Sequence, residues 1–240
     1  MSELTHKRAA VFGATGGIGA ALVRALGERG CQVAAGSRSG APVPGAAAAF
    51  RFDLMEEAGI AAAADGLRAE PPTLVMVTTG ALTLPNGRMP EKSLRELDPA
   101  ALAQSFAINA IGPALIAKHV LPLLPRRERA VFAVLGARVG SIGDNRLGGW
   151  HAYRASKAAL AMLVRNAAIE TARTHPLAVV AALHPGTVDT PLSAPFQARV
   201  PPGQLLTPRD SAAHLLTVID ALTPAESGYA FDWRGERIAP

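Results

Sequence analysis

One cysteine in 240 residues excludes a disulfide within the chain. Cys31 opens the small, apolar run GCQVAAG, which marks it as a packing group in a strand rather than a reactive thiol. A chain without a disulfide framework suits a reducing, cytoplasmic setting. Aromatic residues make up only 5%, too few for a base-stacking surface. Lysine is scarce too: the 24 basic residues include four lysines, and the excess over 19 acids gives a net charge of +5. These charges are scattered. Only Arg126, Arg127 and Arg129 gather, beside Glu128, so a solvated basic surface is expected and no nucleic-acid partner. The arginine- and alanine-rich composition points to a G+C-rich bacterial source.

Long apolar runs are missing as well. MSELTHKRAAVFG lacks the apolar stretch of a secretory signal. The most apolar segment, AINAIGPALIAKHVLPLLP, is broken by Asn109, Lys118 and His119, which argues against a membrane span. There is no internal repeat. His151 and His184 have no carboxylate or cysteine at ligand spacing, so no metal site is expected. Ser156 lies outside any Gly-x-Ser-x-Gly elbow, which speaks against a serine hydrolase.

With 49% hydrophobic residues, the chain can bury a large core as one domain over 1–240. Short β-type runs alternate with helical patterns. Strands are expected at 9–14, 31–37, 49–54, 73–79, 130–136, 177–184 and near 228–233. Helices are expected to begin near Gly17, Glu56, Asp98, Trp150 and Thr207. Asp98-Pro99 and Thr207-Pro208 each put a capping side chain before a first-turn proline. This alternation predicts an α/β fold: a doubly wound, Rossmann-type parallel sheet of about seven strands flanked by helices. Ligands would bind beyond the carboxyl ends of its strands.

The first predicted strand runs into Gly13-Ala14-Thr15-Gly16-Gly17-Ile18-Gly19. Glycines at 13, 17 and 19 allow a tight turn, close approach of the backbone to a pyrophosphate, and a helix N-terminus directed at it. NAD sites commonly carry an acid about 20 residues further on. Here no Asp or Glu occurs between Glu28 and Asp53, and the second strand ends in Ser37-Arg38. A guanidinium can pair with a 2′-phosphate that a carboxylate would repel, so NADP(H) is the expected cofactor.

Tyr153 and Lys157 lie one helical turn apart in HAYRASKAAL, on the same face. A phenol has a pKa of about 10 and needs help to exchange a proton near neutrality; an adjacent ammonium favours the tyrosinate. Together these residues resemble the single-domain short-chain dehydrogenases/reductases, over nearly the whole chain and in order. The resemblance assigns Gly13-x3-Gly17-x-Gly19 to the phosphate loop and Asp53-Leu54 to the adenine. It makes Asn109 the helix asparagine that supports a proton-relaying water, and lets Pro185-Gly186-Thr187-Val188, with Thr190, clasp the nicotinamide carboxamide. GARVGSIGDN and YRASKAAL are most similar to the C-factor-like branch.

Two departures stand out. The family's Asn-Asn-Ala-Gly reads Val77-Thr78-Thr79-Gly80, where binding would pass to backbone groups. Its catalytic serine falls on Ala137; Ser141, twelve residues before Tyr153, is either a substitute donor or a turn residue. The resemblance implies hydride transfer between NADP(H) and a carbonyl or alcohol, with Tyr153 as acid/base and Lys157 also holding the nicotinamide ribose. The alternative is a cofactor-binding regulatory or signalling protein with little turnover, which Ala137 keeps open. The apolar, proline-rich 193–206 reads as a flexible flap over a modestly apolar substrate. Apolar surface beyond one face on the helices at about 98–123 and 150–173 predicts a homodimer or homotetramer.

Overall fold

The computed structural model describes residues 6–240, with the Arg199 side chain excepted. Residues 1–5, the start of the segment read as lacking a secretory signal, lie outside the described residues.

Seven strands form one parallel sheet: β1 (Arg8–Phe12), β2 (Gln32–Ser37), β3 (Ala48–Arg51), β4 (Leu74–Val77), β5 (Ala130–Leu135), β6 (Ala178–His184) and, at the far edge, β9 (Ala230–Asp232). Their order is β3-β2-β1-β4-β5-β6-β9. Val11 of β1 pairs with Ala35 on one side and Met76 on the other, so the winding reverses between β1 and β4. That switch point opens a crevice at the carboxyl ends of the strands. Two further strands, β7 (Thr187–Val188) and β8 (Leu205–Leu206), pair in parallel outside the sheet. At two residues each they carry no periodic pattern, and the sequence did not reveal them.

Both faces of the sheet are covered, which is why its strands read as continuous apolar runs rather than alternating ones. All six residues of β5 are buried. On one face lie α1 (Gly17–Glu28) and α6 (Pro208–Ala221), packed through Leu22, Leu26, Leu215 and Ile219. The other face carries α2 (Glu57–Gly66), α4 (Gly112–Val120) and α5 (His151–Ala172), packed through Ile60, Ile116, Leu160 and Val164. The two expected caps form: Asp98 Oδ1 accepts from Ala101 N at 2.8 Å, and Thr207 Oγ1 from Asp210 N at 3.1 Å.

The helix expected over 98–123 is not uniform. It runs from α3 (Pro99–Phe106) through a π-helical turn, Ala107–Ile111, into α4. Pro113 has no N–H for the carbonyl four residues back, so the ladder is already open at Asn109. By length and composition Pro99–Leu123 could cross a membrane, but nearly half of its most apolar window is buried within the fold.

Candidate functional site

The glycine turn after β1 carries the features of an anion cradle. Gly13 sits at φ +91°. A Cβ on Gly19 would stand 2.2 Å from the Gly13 carbonyl, and one on Gly17 2.7 Å from the Thr190 methyl. Only glycine permits this closeness, which brings the turn and the Pro185–Thr190 segment together. No side chain caps α1 at Gly16 and no acid lies in its first turn, so the N–H groups of Gly17 and Ile18 remain for a ligand. Thr15, Gly16 and Gly17 are all exposed.

Around this turn stand the other residues read as cofactor ligands. Thr78 Oγ1 donates to the carbonyls of Phe12 (3.0 Å) and Gly13 (3.1 Å), tying β4 to the glycine turn. Thr79 Oγ1 is buried without a partner, the state of a hydroxyl awaiting a ligand. Ser37 is buried, its Oγ accepting from Gly40 N at 3.1 Å, while Arg38 beside it is exposed. Among the described residues no acid pairs with the Arg38 guanidinium. Asp53 Oδ1 accepts from Met55 N at 2.9 Å, and Leu54 packs where a Cβ on Gly112 would come within 2.4 Å of its Cγ. Gly186 lies at φ +82°, Pro185 O accepts from Ser211 Oγ, and Val188 is buried. The uncapped helix start, the bare glycines, the orphaned hydroxyl and the free guanidinium all fit a phosphorylated dinucleotide.

Asn109, Tyr153 and Lys157 meet at the ends of β4 and β5. Asn109 is fully buried; its Oδ1 accepts from Ala81 N (3.0 Å) and its Nδ2 donates to Ala81 O (2.9 Å) and Ser105 Oγ (3.3 Å). Ser105 Oγ lies 3.2 Å from Ser156 Oγ, which donates to Tyr153 O at 2.8 Å. One polar chain therefore links the π-turn to the tyrosine turn of α5. A Cβ on Gly80 would stand 3.2 Å from Asn109 Oδ1 and 3.6 Å from Lys157 Nζ, so glycine lets the amide and the ammonium converge. The two serines were not legible as site residues; Ser105, four residues before Asn109, was the available signal.

The electrostatics differ from the expectation that Lys157 lowers the tyrosine pKa. Nζ lies 5.9 Å from the Tyr153 ring centroid and donates instead to Leu135 O at 2.7 Å. Burial dominates both groups, pushing the Tyr153 phenol up to about 12 and the Lys157 ammonium down to about 8. At neutral pH the pair is a protonated phenol beside an ammonium close to losing its proton.

Ala137 follows β5 and has no donor side chain. Ser141 ends the short turn Arg138–Gly140, and its Oγ accepts from Asp144 N at 3.0 Å, a turn-type bond that leaves the hydroxyl proton free. Ser141 also faces a cavity of about 330 Å³ together with Lys157, His184 and Tyr229. His184 is held neutral by burial and by the nearby Arg138, its pKa pushed down to about 4, and its Nδ1 is unpartnered. The segment read as a flap carries a turn, Ala194–Arg199, and its ends are tied by β7 and β8.

The family model for short chain dehydrogenases matches residues 7–200. The C-signal protein of Myxococcus xanthus is 36% identical over 146 residues, 61% of this chain and 82% of that protein. A cis-4-hydroxycyclohexanecarboxylate dehydrogenase from Sinomonas cyclohexanicum is 31% identical over 95% of this chain and 99% of its own. Among solved structures, an NADPH-bound carbonyl reductase from chicken fatty liver superposes with a TM-score of 0.83 at 23% identity, covering 100% of this chain and 96% of that one. The chain belongs to the short-chain dehydrogenase/reductase family.

Proposed function

We propose that this oxidoreductase is an NADP(H)-dependent carbonyl reductase or alcohol dehydrogenase whose proton is handled by Tyr153. The observation that carries the reading is the convergence of Asn109, Tyr153 and Lys157 beside a glycine cradle with a free arginine at its adenosine end. The phosphate would rest on the α1 N-terminus with Gly13, Thr15, Gly16, Gly17, Ile18 and Gly19, and Ser37 and Arg38 would take the 2′-phosphate. Asp53 and Leu54 would flank the adenine. Thr78, Thr79 and Gly80 would line the middle of the site, and Pro185, Gly186, Val188 and Thr190 would meet the nicotinamide end. When bound, the cofactor supplies or accepts a hydride.

The chain's own part is positioning and proton transfer. Tyr153, protonated at neutral pH, donates to a substrate oxygen as charge develops there. Lys157 places a cation behind that donor. Lys157 Nζ spends one of its three N–H donors on Leu135 O and would have another for a cofactor ribose hydroxyl. Asn109 fixes the loop at Ala81 through both its amide oxygen and its amide nitrogen. Ser141 would supply the second donor to the forming alkoxide, using the proton its bond to Asp144 N leaves free.

The small-molecule substrate meets a single domain over 1–240 that works as a homodimer or homotetramer in a bacterial cytoplasm. A second reading, a cofactor-binding regulatory protein with little turnover, draws on Ala137 and on the likeness to C-signal. NADPH oxidation with a panel of aldehydes, ketones and quinones separates the two. Turnover of at least one carbonyl supports the enzyme; tight NADPH binding with no turnover across the panel supports the regulator.

A further inference from the structure

The loop entering α5 carries an unusual backbone. Gly148, Gly149 and Trp150 lie consecutively at φ +61°, +64° and +51°, and Trp150 is the one non-glycine residue at positive φ among the described residues. A bulky side chain is strained there, and a third glycine would relieve it. The turn is nonetheless clamped on several sides. Trp150 N donates to Glu91 O, and Ala152 N to the buried Glu91 carboxylate at 3.2 Å. Arg154 donates to Gly149 O (3.0 Å) and Val139 O (3.1 Å). Strain maintained by this many contacts fixes where the indole points.

The indole points across the tyrosine. Its ring centroid lies 6.4 Å from Tyr153, edge to face, and 5.0 Å from Phe196 of the flap, again edge to face. Trp150 and Phe196 are both only partly buried, so aromatic surface remains open beside the phenol. The geometry points to Trp150 and Phe196 as the aromatic wall of the substrate site, selecting carbonyl compounds that carry a flat aromatic ring next to the carbonyl over saturated rings of the same size. This rests on the carbonyl-reductase reading and adds the substrate class to it. An aryl ring can extend the existing edge-to-face series; a puckered saturated ring of equal bulk cannot.

The test compares benzaldehyde with cyclohexanecarbaldehyde. Wild type should show the higher kcat/KM for benzaldehyde. Trp150→Asn, whose side chain tolerates the left-handed backbone, should lower the benzaldehyde-to-cyclohexyl ratio roughly three- to tenfold, and Phe196→Ala should lower it similarly. Trp150→Phe should keep most of it. Binding is read separately, by calorimetry of benzoate and cyclohexanecarboxylate to the NADPH-loaded protein and to the same variants. An unchanged ratio in Trp150→Asn, with turnover intact, would overturn the wall while leaving the reaction standing. If wild type reduces neither aldehyde yet prefers benzoate, and Trp150→Asn loses that preference, the wall stands, and the reaction assignment is decided by the wider carbonyl panel. No preference for the aryl compound in either assay overturns the wall. A purely structural tryptophan would instead show a lowered melting temperature in Trp150→Asn with both ratios unmoved.

Discussion

Replacing Lys157 by methionine should abolish one pH-dependent part of the stability. The ammonium is buried, 5% exposed, and burial lowers its pKa from 10.5 to about 8. Since the folded-state value lies below the unfolded one, the unfolded chain holds the proton between pH 8 and 10.5 while the folded chain has released it. Stability from this group therefore rises with pH through that window; the penalty is fully present below pH 8 and gone above 10.5. The fall to about 8 corresponds to about 3 kcal/mol. Methionine fills a similar volume without the charge but leaves Leu135 O without its donor, a loss of about 1–3 kcal/mol that does not depend on pH. Near pH 7 the variant should match or exceed wild type, and near pH 10 it should be clearly weaker. For a chain of this size the difference in melting temperature between the two proteins should move by roughly 6–12 °C over that range. Thermal and urea unfolding of both, without cofactor, at half-unit steps from pH 7 to 10.5 measures it. A difference that stays constant across the range would refute the buried, charge-depressed lysine.

Arg38→Leu should weaken NADPH about 10- to 100-fold and leave NADH nearly unchanged, and Ser37→Asp should turn the preference toward NADH; calorimetry with both cofactors decides. Ser141→Ala should cut turnover about 10²–10³-fold while Ala137→Ser raises it little. A silent Ser141→Ala with an activating Ala137→Ser would instead move the donor to the family's position. Light scattering at tens of micromolar should give a dimer or tetramer. Leu163→Glu should shift it toward monomer, because Leu163 of α5 is exposed in the lining of an apolar groove of about 670 Å³ facing α4, and Met162 and Ile169 are exposed on the same helix; a wild-type monomer would refute this.

Much of the fold could be read from the chain because parallel strands buried on both faces are written as unbroken apolar runs. VFAVL in β5 and AVVAAL in β6 admit little else, and the helix starts at Asp98 and Thr207 announce themselves through cap and proline. The glycine turn and the Tyr153–Lys157 pair were equally legible, since their chemistry depends on local spacing. What was not legible depends on distant neighbours. The Ser105–Ser156 bond joins residues 51 apart. Glu91, in a stretch without periodicity, is buried because it holds the start of α5. The π-turn needs both Pro113 and the grip of Asn109 on Ala81. The balance at Tyr153 could not be read either: spacing promises help from Lys157, but depth in the fold sets the pKa, and burial prevails.

The proposed reaction depends first on the Tyr153 hydroxyl as carrier of the proton. Tyr153→Phe removes that oxygen and keeps the ring that packs near Trp150. With a carbonyl turned over by wild type, the variant's kcat should fall about 10²–10⁴-fold while its NADPH dissociation constant stays within about twofold. Turnover equal to wild type with unaltered NADPH binding would contradict this and leave Tyr153 as a packing residue only.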